Sequence, residues 1–424
     1  MRSHNEMLAY LPSPEATARL EHLYGGDISI QQARIKTAVE RHRAMAGDDA
    51  IMLFSSPGRT ELGGNHTDHQ GGSVLAAAVN MDMLAVASHS GNNIATVESE
   101  GFPPFKIDLA DLTPQKSEAG NPQALVRGIA AGITARGYCV SGINVYITSK
   151  VLPGSGLSSS AALEVLIGTI FNTFYCNSEI SPIDIAQIGQ YAENVFFEKP
   201  CGLMDPMACA VGNVLAIDFA LRNAPVVRQV NYDFAKSGHH LCIIDSGADH
   251  ADLTNDYAAI TTEMFAVAAA FGCKTLCEVD ENQFAQKLPQ LRAKLGDRAV
   301  LRAMHFFADT KRAEDQAAAL ECGNFARFLD LVNASGKSSG LYLQNLSTWA
   351  NPRRQEVTLA ICQAERLLGG KGAVRVHGGG FAGTIQAFVP TDMVDMFKTE
   401  IEALLGTGCC HILQIRPEGG CVIF

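Results

Sequence analysis

Residues 151–168 read VLPGSGLSSSAALEVLIG, and they indicate a strand that ends in a glycine-rich loop and continues into a helix. Apolar side chains repeat every three or four positions from Ala162 to Phe174, which predicts a helix with a buried face. Gly154 and Gly156 leave backbone N–H groups unobstructed at the positive end of this helix. We therefore expect an anion site that a phosphate group fits. The alternative is a glycine-rich turn with an ordinary serine cap.

The rest of the chain combines strands and helices in unequal clusters. The first fifty residues have a helical pattern, with a surface helix near 30–45, and β-rich segments punctuated by glycine follow. Ser181 suits the N-cap of a second helix, and the polar stretch 221–238 suits a domain boundary. Helical pattern then dominates up to about residue 342, and strand-like segments return near the end. This arrangement favours an α+β protein over regular βαβ winding.

The composition is that of a folded, acidic protein. Among 424 residues, 33 Lys and Arg stand against 44 Asp and Glu, so the net charge is −11. An acidic surface excludes a nucleic-acid binder held by phosphate neutralisation. The 47% hydrophobic share is enough for a sizeable core and more than one domain. The twelve cysteines form no CxxC pair and no long apolar run is present, so we expect a cytoplasmic protein with reduced thiols and no membrane segment.

A second dense stretch is SSPGRTELGGNHTDHQGG, residues 55–72. Hydrogen-bonding groups beside flexible backbone suit a polyhydroxylated ligand or a metal ion. The HxDH pattern alone is a weak metal signature, because it lacks a partner cluster nearby in the sequence. The side chains concentrated here are Arg59, Asn65, His66, Asp68 and His69.

Two shorter sequence motifs are also candidates for functional sites. In PCGLMDPMACAVG, Asp205 followed by Pro206 suits a helix N-cap with proline at the first helical position. In VHGGGFAGT, glycines 378–380 indicate that another backbone or a ligand approaches closely. The HGGG sequence, together with GKSSG at 336–340, also matches esterase motifs. The order of these motifs and the helical context of Ser338 argue against a hydrolase.

Taken in order, these strings resemble the signature motifs of the GHMP small-molecule kinases, and specifically of the galactokinases. PGRTELGGNHTDHQGG is similar to PGRxNLIGEHTDYxxG, PGSGLSSSAAL to the phosphate loop, VHGGGFAGT to the GGGFGG motif, and CGLMDP to CGxMDQ. The resemblance implies a two-domain α+β fold. Residues 1–225 would form an N-terminal domain with a mixed sheet, and residues 226–424 a C-terminal domain of helices packed on an antiparallel sheet.

The resemblance also implies roles for individual residues. Asp205 matches the catalytic aspartate and Arg59 the arginine that steadies charge beside it. Ser160 and Glu193 match the residues associated with Mg²⁺. The phosphates of ATP would be bound by the loop residues Gly154, Ser155, Gly156, Leu157, Ser158, Ser159 and Ser160.

On the sugar side, the resemblance assigns substrate contacts to Asn65, His66, Asp68, Gly202 and Tyr257. Four positions depart from the family pattern, because Asn65 replaces a glutamate, Glu61 an asparagine, His69 a tyrosine and Pro206 a glutamine. An amide at Asn65 still donates and accepts hydrogen bonds but carries no charge. The replacement of glutamate by Asn65 therefore affects the prediction of which sugar is bound.

The expected activity is transfer of the γ-phosphate of ATP to the 1-hydroxyl of D-galactose, with Mg²⁺, by a monomer that binds neither nucleic acid nor membrane. The first alternative is a kinase for a related sugar, N-acetylgalactosamine or arabinose. The second is a regulator that binds sugar and ATP without catalysis. The presence of Glu193, Arg59 and Asp205 argues against the regulator.

Overall fold

The computed structural model describes residues 1–151, 156–221, 224–248, 253–348 and 350–424. Its strands are β1 (Met52–Gly63), β2 (Ser73–His89), β3 (Ile94–Ser99), β4 (Phe105–Asp108), β5 (Ile143–Ser149), β6 (Val214–Asp218), β7 (Val226–Val230), β8 (His239–Asp245), β9 (Ala373–Val376), β10 (Thr384–Pro390), β11 (Cys410–Leu413) and β12 (Cys421–Val422).

Helices surround these strands on both sides. They are α1 (His4–Tyr10), α2 (Pro14–Tyr24), α3 (Ser29–Ala46), α4 (Pro122–Thr134), α5 (Ser159–Tyr175), α6 (Pro182–Val195), α7 (Met204–Val211), α8 (Thr254–Ala269), α9 (Glu281–Gln286), α10 (Leu288–Leu295), α11 (Asp297–Glu321), α12 (Phe325–Ser338), α13 (Glu356–Leu368) and α14 (Val394–Leu405).

The larger sheet is mixed. Its strands run in the order β12-β1-β2-β5-β3-β4, with β6 paired to β2 and β7 to β6. The β3–β5 pair is parallel, whereas β1 pairs antiparallel with β2 and β12. The register between β1 and β2 shifts between Pro57 and Arg59 and again between Glu61 and Gly63. Such irregularities bend a strand and redirect its side chains, and here they flank Arg59 and Glu61.

Helices cover both faces of this sheet because successive strand side chains point to opposite faces. On β1, Phe54 belongs to the core shared with α4, α5, α6 and α7, and Leu53 to the core shared with α1, α2 and α3. Helices α4 and α6 approach closely at Gly128, where an added Cβ would lie 2.7 Å from the Cβ of Ala192. Small residues at this contact therefore set how closely the helix layer packs.

The smaller sheet is antiparallel, in the order β11-β8-β10-β9. Helices α13 and α14 cover one face through Ala360 and Phe397. Phe328 of α12 and Phe388 of β10 belong to a core that also includes Leu75 of β2. That core lies between the two sheets, so the two halves of the molecule share buried apolar surface.

Most of the predicted elements are confirmed. The N-terminal helices are present, and Ser181 caps α6 through its side chain, which accepts the Asp184 N–H. The expected surface helix near 30–45 is α3. The missed elements include α4, which lies in a gap between the β-rich segments, β7, which lies inside the stretch predicted as polar linker, and α14, which lies in a region where only strands were expected. Because β7 is largely exposed and carries Arg228 and Gln229 side by side, its sequence lacks a long apolar run.

The boundary expected after residue 225 falls between β6 and β7, which pair with each other in the larger sheet. The C-terminal strand β12 also returns to this sheet beside β1. The division at 225 stays a prediction. The twelve cysteines all lie in the described ranges and are free thiols. Within those ranges, no helix is both long enough and apolar enough to cross a membrane.

Candidate active site

Arg59 of β1 and Asp205 of α7 form a bidentate ion pair. The guanidinium Nε lies 2.6 Å from Oδ1 of Asp205, and Nη2 lies 2.6 Å from Oδ2. Arg59 also donates to the carbonyl of Gly156. The Arg59 side chain is 9% exposed and that of Asp205 30% exposed. The carboxylate is therefore held in one orientation while part of it still faces the open side of the site.

Asp205 is not a helix cap, so that alternative is wrong. Helix α7 begins at Met204, with Leu203 at the N-cap position and no side-chain capping bond. Asp205 therefore lies within the first turn, where a negative charge is favoured by the helix dipole. Its carboxylate accepts hydrogen bonds from Arg59 and from the hydroxyl of Ser158, both of which donate to Oδ2.

The N-terminus of α5 lies beside this pair. Ser158 occupies the N-cap position with a left-handed φ of 61° and makes no capping bond. The predicted serine cap is therefore wrong, because the hydroxyl that would cap the helix is turned towards Asp205 instead. The first N–H groups of α5 are left without a side-chain cap. This is the arrangement that a bound anion requires.

Gly156, two residues before the N-cap of α5, packs against the C-terminal half of the chain. An added Cβ at Gly156 would lie 2.8 Å from Thr384 Oγ1 and 3.0 Å from His377 Nδ1, so only glycine fits. Leu157 is buried, and its carbonyl accepts the backbone N–H of Arg59 at 3.0 Å. Gly154 and Ser155, which were also predicted to bind phosphate, lie outside the described residues.

His377 belongs to the VHGGGFAGT motif, and the sequence alone indicated no role for it. Its Nε2 lies 3.1 Å from Thr60 Oγ1 and its Nδ1 lies 2.9 Å from Thr384 Oγ1. Burial and the cations Arg59 and Arg375 hold the pKa of His377 well below its ordinary value. A neutral His377 therefore braces the strand that carries Arg59. Nothing in the sequence around 377 indicates which strand it meets.

The residues expected to hold a metal ion lie on adjacent helices. Ser160 is half-buried in the first turn of α5, and Glu193 is almost fully buried in the last turn of α6. Lys199 Nζ lies 3.1 Å from Glu193 Oε1. Hydroxyl and carboxylate oxygens suit Mg²⁺, which is normally completed by phosphate and water. No group of three His, Cys, Asp or Glu side chains suited to a metal occurs in the described part of the chain.

Four of the five expected sugar-binding residues form two pairs of contacts: His66 and Tyr257 contact the glycines of the third motif, and Asp68 lies against Gly202. His66 Nε2 lies 2.9 Å from the Gly379 carbonyl, and the Tyr257 hydroxyl donates to the Gly380 carbonyl at 2.7 Å. An added Cβ at Gly202 would lie 2.8 Å from Asp68 Oδ2. The structure therefore brings His66, Asp68, Gly202 and Tyr257 into one region, as a shared ligand site requires.

The protonation of these groups suits hydroxyl recognition. Burial, assisted by His69, lowers the pKa of His66 to about 4. Burial and Asp256 raise the pKa of Tyr257 to about 12. Burial opposes ionisation of Asp68, but His69 and His66 together outweigh burial and lower the pKa of Asp68. Near neutral pH the region therefore offers a neutral imidazole, a phenol and a carboxylate, which together donate and accept hydrogen bonds.

Asn65, the fifth expected sugar contact, lies in a buried polar network. It is 0% exposed. Its Nδ2 donates to Glu61 Oε1 at 3.0 Å and to the Gly378 carbonyl at 2.7 Å, and its Oδ1 accepts from Asn345 Nδ2 at 2.9 Å. These contacts occupy the amide with protein groups. The predicted contact between Asn65 and the sugar stays a prediction, and these hydrogen bonds to protein groups do not support it.

Glu61 anchors the same network. Its carboxylate accepts from the guanidinium of Arg375, and both side chains are buried. Burial raises the pKa of Glu61, although Arg375 and Arg59 counteract it. Sequence reasoning noted Glu61 only as a departure from a motif. Its partner Arg375 lies 314 positions away, so local sequence could not indicate the pair.

The hydrolase alternative is excluded by the position of Ser338. This serine is the last residue of α12 rather than part of a turn from strand to helix. Its Oγ lies 2.9 Å from His305 Nδ1, and Asp309 Oδ2 lies 3.7 Å from His305 Nε2. All three side chains are buried, and His305 Nε2 lies 2.8 Å from the Asn65 carbonyl. The group is a structural brace without access for a substrate.

Two protein-family models match the chain. The galactokinase galactose-binding signature matches residues 40–89, which carry Arg59, His66 and Asp68. The GHMP kinases N terminal domain matches residues 124–213, which carry the α5 N-terminus, Glu193 and Asp205. Both matches cover the segments whose side chains meet at the site.

Curated relatives and solved structures agree with these matches. A galactokinase of Actinobacillus succinogenes is 31% identical over 354 residues, covering 81% of this chain and 86% of the relative. A galactokinase of Streptomyces coelicolor is 28% identical, covering 91% of this chain and 97% of the relative. The structure of Lactococcus lactis galactokinase complexed with galactose has the same fold, with a TM-score of 0.78, 23% identity, and coverage of 92% of this chain and 99% of that chain. The expected two-domain α+β fold is thereby confirmed, and the chain belongs to the galactokinase family of GHMP kinases.

Proposed function

We propose that this protein transfers the γ-phosphoryl group of ATP to the 1-hydroxyl of D-galactose, with ADP as the leaving group, and releases galactose 1-phosphate. The observation that carries this proposal is the Arg59–Asp205 pair beside the uncapped N-terminus of α5. A site for phosphate and a carboxylate that can receive a hydroxyl proton lie together there. The galactokinase relatives supply the sugar class.

Asp205 is the group that accepts the proton of the sugar hydroxyl. Phosphoryl transfer passes through a loose transition state, in which little proton transfer is needed until late. A carboxylate held in one orientation by Arg59 suits this role, since its position matters more than its basicity. Arg59 in turn steadies negative charge around the transferring group. The N-terminus of α5 adds fixed partial positive charge to the same region.

Mg²⁺ fits the site through Ser160 and Glu193, with the remaining ligands supplied by ATP and water. The metal would neutralise charge on the outer phosphates. Oxygen donors of this kind match the preference of a small hard cation. The nucleotide would bind along the loop and the first turn of α5, from Gly154 to Ser160.

Sugar recognition falls to His66, Asp68, Gly202 and Tyr257. Sites that read hydroxyl groups discriminate sharply, because a missing partner leaves a buried polar group unpaired. Because Asn65 is bound to protein groups, the contact to the hydroxymethyl group of the sugar would come from elsewhere in the site. We also place the protein in the cytoplasm, consistent with its free thiols, and propose that it is a monomer.

The test is ATP-dependent phosphate transfer with Mg²⁺ across galactose, glucose, N-acetylgalactosamine and arabinose. We expect galactose to be preferred, and Asp205→Asn to lower kcat by about 10²-fold or more while galactose still binds. An exposed carboxylate, Asp297, gives the matched control Asp297→Asn with unchanged kcat. Near-normal kcat in Asp205→Asn would remove Asp205 from its role, and preference for another sugar would replace galactose. Binding of sugar and ATP without turnover would indicate the regulator.

A further inference from the structure

The backbone of Asn65 is held on both sides by two buried side chains of α11. The Asn65 N–H donates to Asp309 Oδ2 at 2.9 Å, and the Asn65 carbonyl lies 2.8 Å from His305 Nε2. His305 and Asp309 are four positions apart on α11, so their side chains share one face of the helix. Both side chains are 0% exposed. One helix of the second half of the chain therefore fixes the two peptide groups that flank Asn65.

Helix α12 orients these two side chains. Ser338 Oγ lies 2.9 Å from His305 Nδ1, and Ser335 Oγ donates to Asp309 Oδ2 at 3.2 Å. Because a backbone carbonyl can only accept, His305 carries its proton on Nε2 and accepts the Ser338 hydroxyl at Nδ1. Burial lowers the pKa of His305, although Asp309 counteracts it. The imidazole is therefore neutral near neutral pH and is held in one tautomer.

The residue after Asn65 has an unusual backbone conformation. His66 has a φ of 57°, in the left-handed region that residues other than glycine adopt uncommonly. Such a conformation persists where the surrounding structure holds the chain in place. Here His305 fixes the peptide before His66, and the His66 imidazole lies 2.9 Å from the Gly379 carbonyl. His66 is only partly buried, unlike Asn65, so its ring is open to a ligand.

The contacts of His305 and Asp309 are separate from the phosphate side of the site. Their described hydrogen bonds go to Asn65, to the two serines of α12 and to an arginine one turn further along α11. In the described part of the chain, none of these partners is hydrogen-bonded to Asp205 or Arg59. A change at His305 should therefore reach the sugar side without moving the proton acceptor.

We propose that His305 is a positioning residue for the sugar site. Together with Asp309 it fixes the backbone of Asn65 and thereby holds the His66 imidazole in place for a sugar hydroxyl. This inference rests on the proposed function, since it takes His66 as a sugar contact. It also gives a purpose to a buried serine, histidine and aspartate that no substrate can reach.

The test is the galactose Kd, measured by isothermal titration calorimetry without nucleotide. His305→Leu removes the donor to the Asn65 carbonyl, and we expect it to raise the Kd by about 10-fold, the value of about one hydrogen bond from His66 to the sugar. His305→Gln keeps a side-chain N–H donor and should stay within about 3-fold of the wild type. In steady-state kinetics, His305→Leu should raise the KM for galactose and leave kcat and the KM for ATP within about 3-fold.

His42 supplies a matched control. It is also fully buried, and its Nε2 lies 3.2 Å from the Asn144 carbonyl. His42→Leu and His305→Leu should both lower the Tm, because each leaves a buried carbonyl without its donor. Only His305→Leu should change the galactose Kd. Ser338→Ala is a milder variant, which frees the His305 ring from its second bond and should raise the Kd by about 3-fold even if His305→Leu does not fold.

A double variant tests whether His305 acts through His66. Adding His305→Leu to His66→Ala should change the galactose Kd by less than about 2-fold, because the side chain that His305 positions is already absent. Full additivity of the two substitutions would overturn the inference.

A wild-type galactose Kd in His305→Leu, or in Ser338→Ala where His305→Leu does not fold, would also overturn the inference. A lower kcat at an unchanged galactose KM would do the same, since a smaller folded fraction reduces only the amount of active protein. The Kd is measured without turnover. A wild type that binds galactose but transfers no phosphate would therefore overturn the proposed function, while the comparison of Kd values still decides the role of His305.

Discussion

Asp205 and Arg59 show how contacts decide what a residue does. An Asp-Pro pair in a sequence mostly marks a helix start. In the folded chain the same aspartate lies within the first turn of α7 and binds an arginine 146 positions away. The bidentate contact fixes the orientation of the carboxylate, which is what our proposal requires of the proton acceptor. The role of Asp205 thus depends on a partner that its own neighbourhood does not indicate.

The buried pair of Glu61 and Arg375 gives a prediction at the residue scale. Glu61→Gln would leave a fully buried guanidinium without its counter-charge, so we expect a loss of about 3–5 kcal/mol in the free energy of unfolding. Urea denaturation measures this loss. The control is Asp48→Asn, which removes one partner of an ion pair whose Asp48 side chain is 70% exposed and should cost about 1 kcal/mol or less.

A second substitution tests whether the lost stability comes from the unpaired guanidinium of Arg375. Adding Arg375→Met to Glu61→Gln removes the unpaired guanidinium and should recover most of the lost stability. Equal urea midpoints for Glu61→Gln and the wild type would contradict the prediction. A double variant less stable than Glu61→Gln would show that Arg375 contributes through packing instead.

At the scale of elements, the contact between α4 and α6 depends on a missing side chain. Because a Cβ at Gly128 would meet the backbone and Cβ of Ala192 at 2.8 and 2.7 Å, Gly128→Val must push the helices apart. Overpacking of this kind costs typically about 1–3 kcal/mol. Thr134→Val, on the exposed face of the same helix, is the control. Thermal unfolding measures the stability of both variants. Equal Tm values would show that α4 and α6 can move apart without loss of stability.

The packing of α1 against α3 predicts a dependence of stability on pH. His42 Nδ1 lies 3.1 Å from His4 Nε2, and burial lowers the pKa of His42 from 6.5 to about 4. A histidine whose pKa is depressed by folding binds protons more readily when unfolded. Its contribution to stability is therefore full above about pH 6.5 and is lost as the pH falls towards 4, by roughly 1.4 kcal/mol per unit.

The measurement for His42 is the free energy of unfolding between pH 7 and pH 4. His42→Gln cannot titrate, so its stability should fall less steeply over this window than that of the wild type. The exposed residue His89 supplies the control His89→Gln, whose profile should follow the wild type. Parallel profiles for His42→Gln and the wild type would assign the acid loss to other groups.

At the scale of the whole molecule, the two sheets share one buried core. Phe328 and Phe388 from the second half pack in a single cluster with Leu75 of the larger sheet. The candidate site is divided in the same way, since His66 of the first half contacts Gly379 of the second. Strand β12 also returns to pair with β1. Neither half is complete without the other.

This sharing predicts a single cooperative unfolding transition. Galactose at about 100 times its Kd should stabilise the whole chain by about 2.7 kcal/mol, because the ligand binds only the folded state. Calorimetry with galactose, and with glucose as the control, measures the shift. Two separate transitions, of which galactose moves only one, would show that the halves unfold independently.

The sequence alone determined the features that neighbouring residues encode. Helix α5, the cap of α6 at Ser181 and the α+β class follow from backbone preference and periodicity. Four motifs in a recognisable order pointed to the family. Strand β7 and helix α14 were missed, because one is an exposed strand with little apolar pattern and the other lies among strand-like segments.

Only the tertiary structure decided how the motifs meet. It turned Ser158 and Asp205 from expected caps into partners of the same site, and it buried Asn65 in a network with Glu61. The physical reason is distance along the chain. Backbone preferences act over a few residues, whereas burial, charge pairing and close packing depend on segments brought together from hundreds of positions apart.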